Sequence, residues 1–110
     1  MTKIEIYKDG LGSIVQGRLS GHTGFGEEGE DIVCAAVSAA VQMALLGIEK
    51  VAKTPVGYET GDGYLFFTLP DDLKDDERKN TDILLCSMAE FLKELCRQYP
   101  QNVSITELEV

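Results

Sequence analysis

Asp31-Ile-Val-Cys-Ala-Ala-Val-Ser-Ala-Ala-Val-Gln-Met-Ala-Leu-Leu46 is the stretch on which the fold turns. Val33, Val37, Val41 and Leu45 recur every four residues, the spacing of one helix face. Asp31 is an N-cap residue type and Gly47 a stop signal, so a helix is predicted from Asp31 to Leu46. Ala35, Ala36, Ala39, Ala40 and Ala44 fill most of the remaining positions. The helix is therefore apolar almost all round, with little surface suited to water. The apolar run Ile32 to Ile48, interrupted by Ser38 and Gln42, is expected to be a buried helix and not a membrane span. At about 1.5 Å per residue it is roughly 22–25 Å long. A second subunit is a natural cover for part of it.

Outward from this helix the period changes. Ile4 and Ile6 alternate with polar neighbours and predict a strand over Lys3 to Tyr7. Asp9-Gly10 signals a hairpin, and Ser13 to Leu19 resumes in extended form. Ser20 to Gly29 is a glycine-rich loop. After the helix, Val56 to Glu59 and Tyr64 to Leu69 read as strands joined across Thr60-Gly-Asp-Gly63. Pro70 to Asp76 is an acidic connector. A second helix is predicted over Glu77 to Tyr99, with Ile83, Leu84, Met88, Phe91, Leu92 and Leu95 on its apolar face and Pro100 ending it. Val103 to Leu108 alternates again. The order ββαββαβ predicts an α+β, two-layer fold: a mixed, largely antiparallel sheet covered by two helices, as a single domain over 1–110.

Charge removes several functions. Ten Lys+Arg against 19 Asp+Glu give a net charge of −9. Clustered cations for a phosphate backbone are missing, and without Trp there is no large stacking platform, so direct nucleic-acid binding is not expected. The balance favours a basic or neutral partner. Three Cys at 34, 86 and 96 form no CxxC spacing, and the N-terminus has no long apolar leader. Both points predict reduced thiols and a cytoplasmic protein.

The chemistry-bearing stretch is Gly21-His-Thr-Gly-Phe-Gly-Glu-Glu-Gly-Glu-Asp31 and the helix it enters. It carries His22, the one histidine, and Cys34 in the opening helical turn. With Asp31 as N-cap, Cys34 is N3, among unpaired N–H groups at the positive end of the helix dipole. That setting favours the thiolate, while the surrounding acids oppose it. First-turn amides suit an oxyanion, and His22 can take the thiol proton. A packed Cys34 in an Ala/Val-rich helix is the alternative these residues leave open. Cys86 and Cys96 are read as core. Gly24-Phe-Gly-Glu-Glu-Gly29 fits G-x-G-x-x-G, but Glu27, Glu28, Glu30 and Asp31 would confront a pyrophosphate without one cation. Gly24, Phe25, Gly26 and Gly29 are instead read as a loop able to move over the site. Asp31 either caps the helix or orients His22, with capping favoured. Ser38 lies one turn after Cys34 and either bonds near the thiol or permits close packing. Asp71 to Glu77 lacks the spacing of a Ca²⁺ loop.

Gly21-His22, the glycine-rich loop and Asp31-Ile-Val-Cys34-Ala-Ala-Val-Ser38 together resemble the signature of the bacterial ribosomal-processing cysteine protease (Prp) family. The resemblance runs over essentially the whole chain. It implies a cysteine endopeptidase with Cys34 as nucleophile and His22 as general base, and places Asp31 and Ser38 in the motif. It further implies removal of a short N-terminal extension from a large-subunit ribosomal protein, with cleavage after an aromatic residue. A homodimer, and no metal or organic cofactor, are implied as well. The competing class is a non-enzymatic acidic dimer that binds a ribosomal protein or the ribosome.

Overall fold

The computed structural model describes residues 1–22, 24, 26–27 and 31–110. Chain order is β1 (Thr2–Lys8), β2 (Ile14–Ser20), α1 (Ile32–Leu46), a π-helical turn (Gly47–Val51), β3 (Gly57–Gly61), β4 (Tyr64–Thr68), α2 (Asp75–Gln98) and β5 (Val103–Glu109). The strands form one open sheet in the order β3-β4-β2-β1-β5. Three of its pairings are antiparallel, and β5 joins β1 in parallel. This is the predicted α+β architecture and element order.

Period-two alternation decides which face the helices cover. Ile4, Ile6, Leu19, Phe67 and Val103 point to one face and are buried. Lys3, Arg18 and Thr68 point to the other and are exposed. On that open face the Arg18 guanidinium sits 5.5 Å from the Phe66 ring centroid. Helix α1 contributes Val33, Val37, Val41, Ala44 and Leu45 to the core. Helix α2 contributes Leu85, Met88, Ala89, Leu92 and Leu95. Glu107 on β5 accepts from Lys93 on α2 at 2.8 Å and pairs with Lys8 on β1 at 3.2 Å. The Lys93 ammonium holds the Glu107 carboxyl below its usual range, and Glu107 in turn holds Lys93 above its own.

Three local expectations are corrected. Gly47 does not stop α1. It takes ordinary right-handed helical angles, φ −60° and ψ −43°, and the helix continues as the π-helical turn to Val51. Packing explains the glycine: a Cβ at Gly47 would lie 3.2 Å from a Leu84 methyl, so its absence lets α1 and α2 approach. Second, α2 starts at Asp75 and not Glu77. Asp75, Asp76 and Glu77 occupy its first turn, where negative charge suits the helix dipole, and the Glu77 carboxylate accepts from the Lys74 N–H at 2.9 Å. Third, Ile83 and Phe91 lie outward on α2, and Leu85 takes the inward place. Leu85, Met88, Leu92 and Leu95 make the narrower stripe that reaches the sheet.

The helical run Ile32–Val51 is 20 residues with a mean hydropathy of 1.9, long and apolar enough to cross a membrane by length and composition alone. One side of it is built into the core. The opposite side leaves Ile32, Met43, Leu46 and Val51 exposed, Met43 by 72% and Val51 by 81%.

Candidate active site

The site begins with the cap of α1. Asp31 has extended backbone angles, and its carboxylate accepts from the Cys34 N–H at 2.9 Å. Its carbonyl accepts from the Ala35 N–H at 3.0 Å. Asp31 is therefore the N-cap, the role favoured from sequence, and Cys34 is N3 as predicted. One consequence was not legible in the pattern: the Cys34 amide is already engaged by the Asp31 carboxylate. Helical geometry leaves the Ile32 and Val33 N–H groups as the first-turn amides without an acceptor inside the helix. Cys34 is half-buried, at the edge of the buried face beside Val37.

His22 arrives from the end of β2. Gly21 holds φ +86°, and a Cβ there would meet the Met1 carbonyl oxygen at 2.4 Å, so only glycine fits. The Gly21 carbonyl accepts from the Thr2 hydroxyl at 3.1 Å, and the Gly21 N–H donates to the Gly63 carbonyl at 2.8 Å. The backbone before His22 is thus pinned to β1 on one side and to the β3–β4 turn on the other. That turn carries the imidazole. Gly63 has φ +64°, and a Cβ on it would lie 3.1 Å from His22 Nε2. Asp62 Oδ1 is 3.5 Å from the same nitrogen.

His22 and Cys34 line one cavity of about 460 Å³ between α1 and the β3–β4 hairpin. Its apolar walls are Leu19, Val37, Val41, Leu45 and Leu65, with Tyr58 and Tyr64 on the hairpin side. Along α1 it extends from Cys34 past Ser38 and Gln42 to Glu49. An imidazole and a thiol that line one apolar groove are the groups that nucleophilic acyl transfer on a peptide uses.

The remaining predicted residues divide. Ser38 lines the groove, and its hydroxyl accepts from the Gln42 side-chain amide at 2.7 Å. Gly24 and Gly26 are exposed, whereas Phe25 and Gly29 lie outside the described residues. Cys96 is half-buried against the core, with its thiol 3.2 Å from the Val103 carbonyl oxygen. Cys86 departs from expectation: it is exposed, because it follows the inward Leu85 onto the outer side of α2. All three cysteines are free. Among the described residues no group of three or more His, Cys, Asp or Glu is placed to hold a metal ion.

Sequence reasoning missed Asp62, Tyr58, Tyr64 and Glu49. Thr60-Gly-Asp-Gly63 was legible as a turn, and a carboxylate between glycines adds nothing to that signal. The β2–β4 register, with Ser20 opposite Tyr64, is what brings the turn to His22.

Comparison with known proteins identifies the family and the fold. A family model described as cysteine protease Prp matches residues 1–104. The ribosomal processing cysteine protease Prp of Bacillus subtilis (strain 168) is 30% identical over 95 residues, covering 84% of this chain and 85% of that protein. The crystal structure of an essential ribosomal processing protease Prp from S. aureus, in complex with a covalently linked product peptide, superposes with a TM-score of 0.87. Identity there is 23%, over 97% of this chain and 99% of that one. SMU.848 from Streptococcus mutans superposes with a TM-score of 0.86 at 25% identity, over 100% of this chain and 96% of that one.

Proposed function

The chain belongs to the cysteine protease Prp family, and on that premise we propose that it cuts the precursor of a ribosomal protein with Cys34 as nucleophile and His22 as base. The observation that carries this is the shared groove: the single histidine and the helix-opening thiol line the same cavity, although they come from different elements. The substrate class is supported by the relatives, one a ribosomal processing protease and one solved with a product peptide. Removal of a short N-terminal extension, with cleavage after an aromatic residue, suits the Leu19, Val37, Val41 and Leu65 walls beside the thiol. A net charge of −9 aids encounter with a basic ribosomal protein.

The steps follow from the groups present. The Cys34 Sγ proton passes to the imidazole. The thiolate attacks the scissile carbonyl carbon, forming a C–S bond and moving the π electrons onto oxygen. The first-turn amides of α1 other than that of Cys34 are the donors for this oxyanion. Collapse breaks the C–N bond, and the leaving amine takes the proton from His22. Water, deprotonated by His22, then hydrolyses the thioester and restores the thiol. Asp31 supports the site by capping the helix that presents Cys34, and Ser38 lines the groove one turn on.

The exposed stripe Ile32, Met43, Leu46 and Val51 supports a homodimer closed by a second copy of α1. Light scattering after gel filtration tests it, and a clean monomer removes it. The cytoplasm, where ribosomal precursors and free thiols coexist, is the compartment this reading requires.

The decisive experiment mixes an N-terminally extended ribosomal protein with the parent, Cys34→Ala and His22→Ala proteins and reads the products by mass spectrometry. The parent is expected to cut once and both variants to be inert. A Cys34→Ala protein that cuts as well as the parent overturns the assignment and leaves a non-enzymatic binding module. Rapid labelling by a peptidyl chloromethyl ketone confined to Cys34 gives an independent reading.

A further inference from the structure

An imidazole that works between a thiol and a leaving amine needs one ring nitrogen free, and a partner on the other nitrogen sets the tautomer and the ring plane. Asp31 is the carboxylate nearest Cys34 in sequence, and it is engaged at the cap of α1. The structure offers a different one. Asp62 Oδ1 lies 3.5 Å from His22 Nε2, at the tip of the β3–β4 hairpin. The approach is built into the backbone. The Gly21 N–H bonds the Gly63 carbonyl, and the ring lies so closely over Gly63 that Nε2, Cδ2 and Cε1 are all 3.1–3.5 Å from where a Cβ would stand. The ring therefore presents its Nε2 edge to Asp62.

We propose that Asp62 is the positioning residue of a Cys34–His22–Asp62 triad. It holds the proton on Nε2 and leaves the Nδ1 lone pair to receive the Cys34 proton. Once that proton has moved, the Asp62 charge stabilises the imidazolium that results. Asp62 touches neither substrate nor sulfur and acts only through His22. The inference rests on the reading of Cys34 and His22 as nucleophile and base.

The side chains are 54% and 86% exposed, so the coupling belongs to the range of solvent-screened pairs, a factor of about two to five. The test compares the parent with Asp62→Asn, Asp62→Ala and Asp62→Glu on one fluorogenic peptide, with Cys34→Ala as control. Asp62→Asn and Asp62→Ala are expected to lower kcat about two- to fivefold with KM unchanged, and Asp62→Glu to recover most of the loss. At about 1 M salt, where the screening length is about 3 Å, the parent and Asp62→Asn rates should converge. Because His22 is the only histidine, ¹⁵N-labelled histidine gives one pair of ring signals: the parent should show the Nε2–H tautomer, and Asp62→Ala a shift toward Nδ1–H. Unchanged kcat in Asp62→Asn and Asp62→Ala, with Cys34→Ala inert, overturns the role of Asp62 and leaves the dyad standing. A loss that salt does not narrow, or a parent in the Nδ1–H form, overturns it as well. An active Cys34→Ala protein instead removes the reading beneath it.

Discussion

Replacing Gly63 with Ala should injure catalysis far more than stability, and the structure separates the two effects. Gly63 has φ +64°, and a non-glycine residue held in this left-handed region costs about 1–2 kcal/mol. The new Cβ would also stand 3.1 Å from His22 Nε2 and 3.4 Å from Cδ2. Real contacts rarely come so close, so the imidazole must give way. With its side chain 54% exposed, the ring has room to relieve the crowding by swinging away from Asp62. A misplacement of about 1 Å in a reacting group costs on the order of 10²-fold in rate. Gly12 supplies the control. It has φ +83° with nothing within 4 Å of its Cβ position, and it sits in the β1–β2 loop away from the groove. Gly63→Ala and Gly12→Ala should lower Tm alike, by about 4–8 °C per kcal/mol. Peptide cleavage by the folded proteins should fall about 10- to 100-fold in Gly63→Ala alone. Equal activity in the two variants would refute the claim that the hairpin turn positions the imidazole.

Other perturbations read other parts of the molecule. Asp31→Ala removes the carboxylate that accepts from Cys34, and urea unfolding should show a loss of about 0.5–2 kcal/mol with an unchanged m value. Phe67→Ala empties a fully buried site over Gly17 of the central strand β2 and should cost about 3–5 kcal/mol by the same measurement. Asp9 has its carboxyl held below the ordinary 3.8, first by the Ser13 N–H, then by the Leu11 N–H and the Arg78 guanidinium, against the opposing effect of desolvation. A depressed folded value means that the stabilisation is complete above the ordinary carboxylate range and disappears as pH falls through the depressed one. Thermal scans of the parent and Asp9→Asn should therefore differ most near neutrality and converge below about pH 4, and parallel curves would refute the assignment.

Much of this fold is local physics. The period-two runs around Ile4 and Ile6 and around Val103, the turn residues Asp9-Gly10 and Gly61-Asp-Gly63, and the four-residue spacing in α1 each act within a few residues. They predict strands, hairpins and helices where the structure has them. Asp31 caps α1 for the same reason: its carboxylate bonds an amide three residues away. The placement of Cys34 in the first turn of α1 therefore needed no tertiary information. Where local rules failed, a distant contact outweighed them. Gly47 is a stop signal that became a helical residue because Leu84 needs its missing Cβ, and Ile83 gave way to Leu85 because the sheet admits only a narrow stripe of α2.

The active site divides along the same line. The sequence alone supplied the candidate groups, because one histidine and one helix-opening thiol are matters of composition and capping. The tertiary structure decided which groups share the groove. Residues 22 and 62 are forty positions apart, and neither periodicity nor turn propensity relates them. The register that sets Ser20 opposite Tyr64 is a property of paired strands, so the carboxylate at His22 became legible only when the sheet was formed.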